Sequence, residues 1–166
     1  LQHGLYPQIS VTVTNRNAAH LPLLVEWLLQ HDLPFGFNFY RENERSTSQA
    51  DLALDDETII RSILAAYQVI EADLPRQNLL AAILDRTNLA IRHSYPCGAC
   101  RNYLVFDTLG RVARCHMRME EAFASSADDD PLAVMLAAPG GMQNPPVDEK
   151  TGCRECPWRY ACAGGC

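Results

Sequence analysis

The chain has no cysteine before residue 97, no block of basic residues and no apolar run long enough to span a bilayer. Each absence excludes something. Phosphate backbones and anionic lipid surfaces are held by clustered Lys and Arg, and a formal charge of −6 without such a cluster offers no surface of that kind. Nucleic acid and membrane are therefore not expected partners. A bilayer span takes about 20 mostly apolar residues, and the opening stretch LQHGLYPQIS has none of the basic flank, apolar stretch and small-residue cleavage site of a secretory signal. The cytoplasm is the expected location.

What is present begins with size and sulfur. The 166 residues, 48% of them hydrophobic, suffice for one domain with a real core, or one domain and a small appendage. Seven cysteines are many for an intracellular chain of this length, and an odd number cannot all pair as intrachain disulfides. Metal or cluster ligation is the better expectation.

The chain divides near residues 91–95, because every cysteine follows that point; the expected domains are 1–92 and 93–166. In the first, QISVTVT alternates Ile9, Val11 and Val13 with Ser10, Thr12 and Thr14, the period of a strand with unlike faces. AHLPLLVEWLLQHD carries Leu21, Leu24, Val25, Leu28 and Leu29 at helical spacing, with Pro22 tolerable in a first turn. PFGFNFYRE reads as a second strand followed by an exposed loop. LDDETIIRSILAAYQVIEADL predicts a second helix with Ile59, Ile60, Ile63, Leu64, Tyr67 and Ile70 on its apolar stripe and Asp55 or Asp56 as N-cap. RQNLLAAILDRTNLAIRH supports a further helix through Leu79, Leu80, Ile83 and Leu84. The order βαβα favours parallel pairing. Two parallel strands are too few to stand alone, so this half reads as a slice of a larger α/β barrel or sheet, entered partway.

In the second, NYLVFDTLGRVARCH predicts a hairpin turning at DTLG, with Gly110 free to take a positive φ. DDDPLAVMLAAPGG predicts a short helix capped by its acids and stopped at Gly140 and Gly141, so Asp128 to Asp130 read as caps rather than a calcium loop. QNPPVDEKTG reads as a stiff polar linker.

The cysteines fall as Cys97, two residues, Cys100, fourteen residues, Cys115, a long gap, then Cys153, two residues, Cys156, five residues, Cys162, three residues, Cys166. A CxxC pair lets two thiolates face one ion or cluster from a tight turn. Two such pairs point to two sites. The hairpin aims Cys115 back toward the first pair, whereas Cys162 and Cys166 are either one helical turn apart or splayed by Gly164 and Gly165. A zinc ribbon wants its two pairs about 15–20 residues apart. These are much further apart, with three cysteines left over.

CxxC, a hairpin glycine in GxxxxC, a long gap and then CRECPWRYACAGGC together resemble the SPASM domain that follows the catalytic barrel of many radical SAM enzymes. The resemblance covers about residues 95–166, and the first half is similar to the closing strands of the partial (β/α)6 barrel of those enzymes. The implied fold is α/β, a fragment of that TIM-like barrel followed by a small cysteine-rich domain with a β-hairpin. The implied function is that of a radical SAM oxidoreductase acting on a peptide or protein side chain, similar to anaerobic sulfatase-maturing enzymes and ribosomal-peptide maturases. The implied cofactors are two auxiliary [4Fe–4S] clusters, and, in the full-length protein, S-adenosylmethionine with a third [4Fe–4S]. By the same resemblance Cys97, Cys100, Cys115 and Cys166 hold the first auxiliary cluster, and Cys153, Cys156 and Cys162 the second, whose fourth ligand is an outside group or lies beyond the segment. A flavodoxin or ferredoxin is the implied reductant. The family's CxxxCxxC, which binds the SAM-cleaving cluster, does not occur here, so this segment alone is expected to be inactive.

Other residues are weighed against plainer roles. His116 follows Cys115, where some sulfatase-maturing enzymes carry an Asp; it is a candidate acid/base or simply a polar hairpin end. Strand ends in a barrel face the reacting centre, which nominates Thr14 and Asn15, then Asn38, Tyr40 and Arg41, as cofactor-binding candidates. Arg41 would hold the carboxylate of SAM or of a peptide, or is a surface arginine in an acidic loop. His3, His20, His31 and His93 read as surface residues or helix ends. Trp158 and Tyr160 read as shields for a cluster. The alternative function is a non-catalytic cysteine-rich module that binds zinc or a peptide.

Overall fold

The alternation at the start of the chain becomes strand β1 (Ile9–Val13), with Val11 and Val13 buried and Ser10 and Thr12 exposed. The computed structural model describes residues 4–5, 7–41, 47–80, 84–99, 101–138 and 144–165, which fall into two compact units, Leu1–Ala90 and Ile91–Cys166. The protein is mixed α/β with small sheets. No described helix is long and apolar enough to cross a membrane.

In the first unit β1 pairs in parallel with β2 (Phe35–Phe39), from Ile9↔Phe35 to Val13↔Phe39. Parallel strands need a crossover, and helix α1 (Leu21–Gln30) supplies it, entered through a 3-10 turn at Ala18–His20 and burying Leu21, Val25 and Leu28. His20 and His31 stand at the two ends of α1, and His31 Nδ1 donates to the Trp27 carbonyl at 2.7 Å. Helix α2 (Asp56–Ala72) starts at Asp55, whose carboxylate accepts the Thr58 N–H at 2.7 Å and the Thr58 hydroxyl at 2.8 Å. Those bonds hold the Asp55 carboxyl below the usual aspartate range. One apolar cluster joins Val11, Val13, Phe35 and Phe37 to Val25, Leu28, Ile63, Ala66 and Ile70. At about 1.5–3 kcal/mol for each large side chain removed from water, this cluster is the main stabilising term of the unit. Ser10, Thr12 and Asn38 lie on the sheet's other face.

Two expectations change here. Ile60 and Leu64 are 58% and 57% exposed, whereas the expected Ile63 and Ile70 are buried together with Ser62 and Ala66, and Ile59 and Tyr67 pack against them. Ser62 tolerates burial because its hydroxyl donates to the Ile59 carbonyl at 3.0 Å. The helix expected through Leu79 and Leu84 is not formed in the described residues of that segment. Ile83 lies outside the described residues, while Leu84 forms a parallel bridge with Phe37. Local side-chain bonds divert the chain: Asn78 Oδ1 accepts the Leu80 N–H at 2.9 Å and Asn88 Oδ1 accepts the Ala90 N–H at 3.0 Å. Between them Asp85 takes the left-handed conformation, at φ 44°.

In the second unit β3 (Val105–Phe106), β4 (Arg111–Ala113) and β5 (Ala122–Ser125) form an antiparallel sheet in that order. Gly110 closes the hairpin at φ 75°. The third strand, β5, is an addition to the expected hairpin. Helix α3 (Pro131–Ala137) is capped by Asp130, which accepts the Ala133 N–H at 3.0 Å, while Asp128 accepts the Ser125 N–H at 2.7 Å. Asp130 is thus the helix cap and Asp128 fastens the turn before it; Gly140 and Gly141 lie outside the described residues. The core here is small: Val112, Ala124 and Met135, with Leu104 packed against them. The expected linker is no linker, since Asn144 and Val147 are buried. A last helix, α4 (Arg159–Cys162), is one turn long.

Candidate metal centre

The first cysteine segment is a tight turn in which Gly98 O accepts the N–H groups of Arg101 at 2.9 Å and Asn102 at 3.0 Å. A buried side chain holds it from outside. Asn144, 6% exposed, donates through Nδ2 to the carbonyls of Cys97 at 3.1 Å and Ala99 at 3.3 Å, and lies 3.8 Å from Cys97 Sγ. Cys115 Sγ accepts the Met117 N–H at 3.4 Å. N–H groups on sulfur stabilise thiolates and tune bound metals. Beside Cys115, Arg114 is buried and paired with Glu121, which also bonds Arg118 at 2.6 Å. The two guanidinium groups, Arg114 first, hold the Glu121 carboxyl below its usual range.

His116 is exposed and has a partner that its sequence position does not reveal: its Nδ1 lies 3.0 Å from the Tyr103 hydroxyl, with the rings edge to face. Tyr103 in turn forms a bridge with Ala99, so this pair spans the first CxxC and the Cys115 turn.

The second segment winds tightly. Lys150 O accepts the N–H groups of Cys153 at 3.2 Å and Arg154 at 3.1 Å, Cys153 O accepts that of Cys156 at 2.9 Å, and Cys156 O that of Arg159 at 3.1 Å. After Cys162 come three residues in the left-handed region, Ala163, Gly164 and Gly165 at φ 53°, 76° and 65°. They splay the chain, so it does not continue the helix. Trp158 is 67% exposed, which corrects its expected role as a shield. Tyr160 is half-buried, donates to Asp148 at 2.8 Å and carries the guanidinium groups of Arg92 and Arg159 over its ring at 4.3 Å and 4.6 Å.

Backbone bonds lace the two segments into one unit: Val147 N–H donates to Ser94 O at 2.8 Å and His93 N–H to Tyr160 O at 3.0 Å. Together with Asn144, they run residues 144–147 beside the first CxxC. Only tertiary placement reveals this, because a polar Asn before two prolines reads locally as a turn.

Cys97, Cys115, Cys153, Cys156 and Cys162 are free and half-buried; Cys100 and Cys166 lie outside the described residues, as does His3. Among the described residues no three of Cys, His, Asp or Glu converge on a metal position, and this includes Cys153, Cys156 and Cys162. The donor chemistry fits a soft metal or an iron–sulfur cluster: free thiols with N–H groups aimed at two of the sulfurs, and Gly164 set against a third, where an added Cβ would lie 3.0 Å from Cys153 Sγ.

In the first unit the carboxyl ends of β1 and β2 meet at one edge, where Tyr40 N–H donates to Val13 O at 3.1 Å. Asn38 Nδ2 donates to Ser10 Oγ at 2.7 Å. Arg41 is paired with Asp85, so its guanidinium already holds a carboxylate of this chain. Asn15 N–H donates to Leu52 O at 3.1 Å, but the turn there is fastened by Asn17, which accepts from Thr14 N–H at 2.8 Å and donates to Thr12 O at 2.9 Å. The nominated residues thus share an edge. Comparison with known proteins finds no matching family model, no matching curated protein and no matching solved structure.

Proposed function

We propose that this chain is the C-terminal part of a radical SAM/SPASM oxidoreductase that modifies a peptide or protein side chain, its cysteine-rich unit carrying auxiliary [4Fe–4S] clusters. The observation that carries the proposal is the set of free, half-buried thiols concentrated in the unit with the smaller core, two of them with N–H groups directed at sulfur. The ligand order is the one the spacing resembles: Cys97, Cys100, Cys115 and Cys166 on one cluster, Cys153, Cys156 and Cys162 on the other. Clusters bound there would accept or pass single electrons, or anchor the substrate. The protein's own part is to hold the sulfurs: Asn144 fixes the first turn, and Met117 N–H orients Cys115. The parallel β1–β2 pair with Leu84 beside it and helices on one face is compatible with a barrel slice, in which the polar face of Ser10, Thr12 and Asn38 would line the lumen.

SAM and its own cluster belong with a CxxxCxxC that this chain does not contain. Asn15, Asn38 and Tyr40 remain the residues offered to that side of the reaction, and His116, held by Tyr103, the candidate proton carrier. The full protein would draw electrons from a flavodoxin or ferredoxin in the cytoplasm.

The test is iron and acid-labile sulfide analysis after anaerobic reconstitution. About eight irons per chain, or four if one site is incomplete, supports the proposal on the arithmetic of [4Fe–4S] sites. Stoichiometric zinc without iron assigns the chain instead to a non-catalytic zinc or peptide-binding module.

A further inference from the structure

Among the lysines and arginines of the chain only one is a lysine, and it lies three residues before Cys153. All the others are arginine. Lys150 Nζ donates to two backbone carbonyls, Ala163 O at 2.9 Å and Gly165 O at 3.2 Å. Its own carbonyl accepts the N–H groups of Cys153 and Arg154. One residue therefore ties the start of the CxxC turn to the left-handed stretch that follows Cys162.

The contact is close on the side-chain stem as well. A Cβ placed on Gly164 would lie 2.8 Å from Lys150 Cδ, 3.3 Å from Lys150 Nζ and 3.0 Å from Cys153 Sγ. The ammonium and the Cys153 sulfur thus border the same point. Glycine suits position 164, because φ is 76° and a side chain there would meet Lys150 and Cys153. The choice of lysine follows from its chemistry. Its tetrahedral ammonium can serve two carbonyls approaching from different directions, whereas the planar guanidinium fork suits carboxylates.

We infer that Lys150 is a positioning residue of the second cysteine site: it fixes the Gly165 carbonyl, the last before Cys166, against the Cys153 turn, and its ammonium and the Cys153 sulfur both approach Gly164. The inference rests on the metal-site reading above, and holds whether the metal is iron or zinc. Without Lys150 the Ala163–Gly165 stretch loses both its anchors, and the Cys153 and Cys162 ends of the block are no longer tied together.

Two measurements test it. In the first, Lys150→Met and Lys150→Arg chains are reconstituted beside the wild type. Lys150→Met should lose about half of the bound metal, and any iron remaining at that site should titrate at a more negative potential, since a nearby positive charge favours the reduced cluster. Lys150→Arg keeps the charge and should keep the potential, while recovering only part of the metal. Unchanged stoichiometry and potential in Lys150→Met overturns the inference. The second needs no variant, and so decides the matter if Lys150→Met fails to fold. An amine-acylating reagent is applied to the wild-type chain with and without metal, and acylation of the Lys150 peptide is followed by mass spectrometry. Loading should slow it at least tenfold, and equal rates overturn the inference. Wild-type iron or zinc content is read from the same samples. Zinc with a protected Lys150 defeats the iron–sulfur reading and leaves this inference standing; iron with an unprotected Lys150 does the reverse.

Discussion

The two units of this chain solve the same problem by different means. The first closes around a broad apolar cluster from two strands and two helices, in which Phe37, Leu21, Leu28, Val13 and Val25 are fully buried. Among the described residues the second has a cluster of three buried residues, and the other apolar residues it buries are Ala99, Ala113 and Ala163 with Met119 and Val147. A unit of that size with so little buried apolar surface needs another source of stability, commonly disulfides or metal. Its described cysteines are free, and polar ties replace part of the missing core. Asn144 holds the first CxxC and Lys150 the second, with Arg114 paired to Glu121 beside Cys115. Polar side chains are buried in the second unit because there is little hydrocarbon to displace them.

The contrast can be broken or sharpened by experiment, most forcefully with metal. One tryptophan, Trp27, lies in the first unit and the other, Trp158, in the second, so Trp27→Phe and Trp158→Phe chains report the two transitions separately. Reconstitution should stabilise the transition seen by Trp158, on the scale of the ~10 kcal/mol that structural metals contribute to small domains. Chelation should reverse this and leave the Trp27 signal in place. If both signals shift together, the two units do not differ as described.

Next in size is Phe37→Ala, which empties the centre of the first cluster. It should cost about 3–5 kcal/mol in denaturant unfolding followed by Trp27, with metal uptake by the second unit unchanged. Asn144→Ala should be smaller in stability, about 1–3 kcal/mol for carbonyls left without their donor, yet larger in function. Metal affinity should fall at least tenfold, measured by competition with a chromogenic chelator. An unaltered affinity would mean that Asn144 fastens the loop and nothing more.

The smallest effect concerns acid. Because the Thr58 N–H and hydroxyl hold the Asp55 carboxyl below the ordinary aspartate range, its folded pKa lies under its unfolded one. Its contribution is present above the unfolded value and lost as pH falls through the folded one. Helix content of the first unit, read by circular dichroism, should decline in that acid range. Asp55→Asn, which can still cap α2, should flatten the decline.

Most of the element order is legible in the sequence. Strand alternation at Ile9 to Val13, the α2 cap at Asp55 and the Gly110 hairpin are local signals, and local physics determines them. Residues 78–90 defeat that reading because Leu79, Leu80, Ile83 and Leu84 suit a helix by spacing, while Asn78, Asp85 and Asn88 redirect the backbone through short side-chain bonds and a left-handed residue. Ile60 and Leu64 carry the same lesson at a smaller scale: a helix has room for two apolar stripes, and the packing partner selects one. The contacts of Asn144, of Lys150 and of the Tyr103–His116 pair have no sequence signal, since each reaches a partner 13 or more residues away. The cysteines are the reverse case. Their spacing draws attention before any coordinate does.

The lone lysine has one more consequence. A protease that cuts only after lysine has a single target in these 166 residues, the Lys150–Thr151 bond. Cleavage there releases Cys153, Cys156, Cys162 and Cys166 as one peptide and leaves Cys97, Cys100 and Cys115 on the larger piece. With its ammonium engaged by Ala163 and Gly165, the bond is a poor substrate while the block is folded. A single cut, followed on a gel, therefore reports whether Lys150 is tied to the stretch after Cys162.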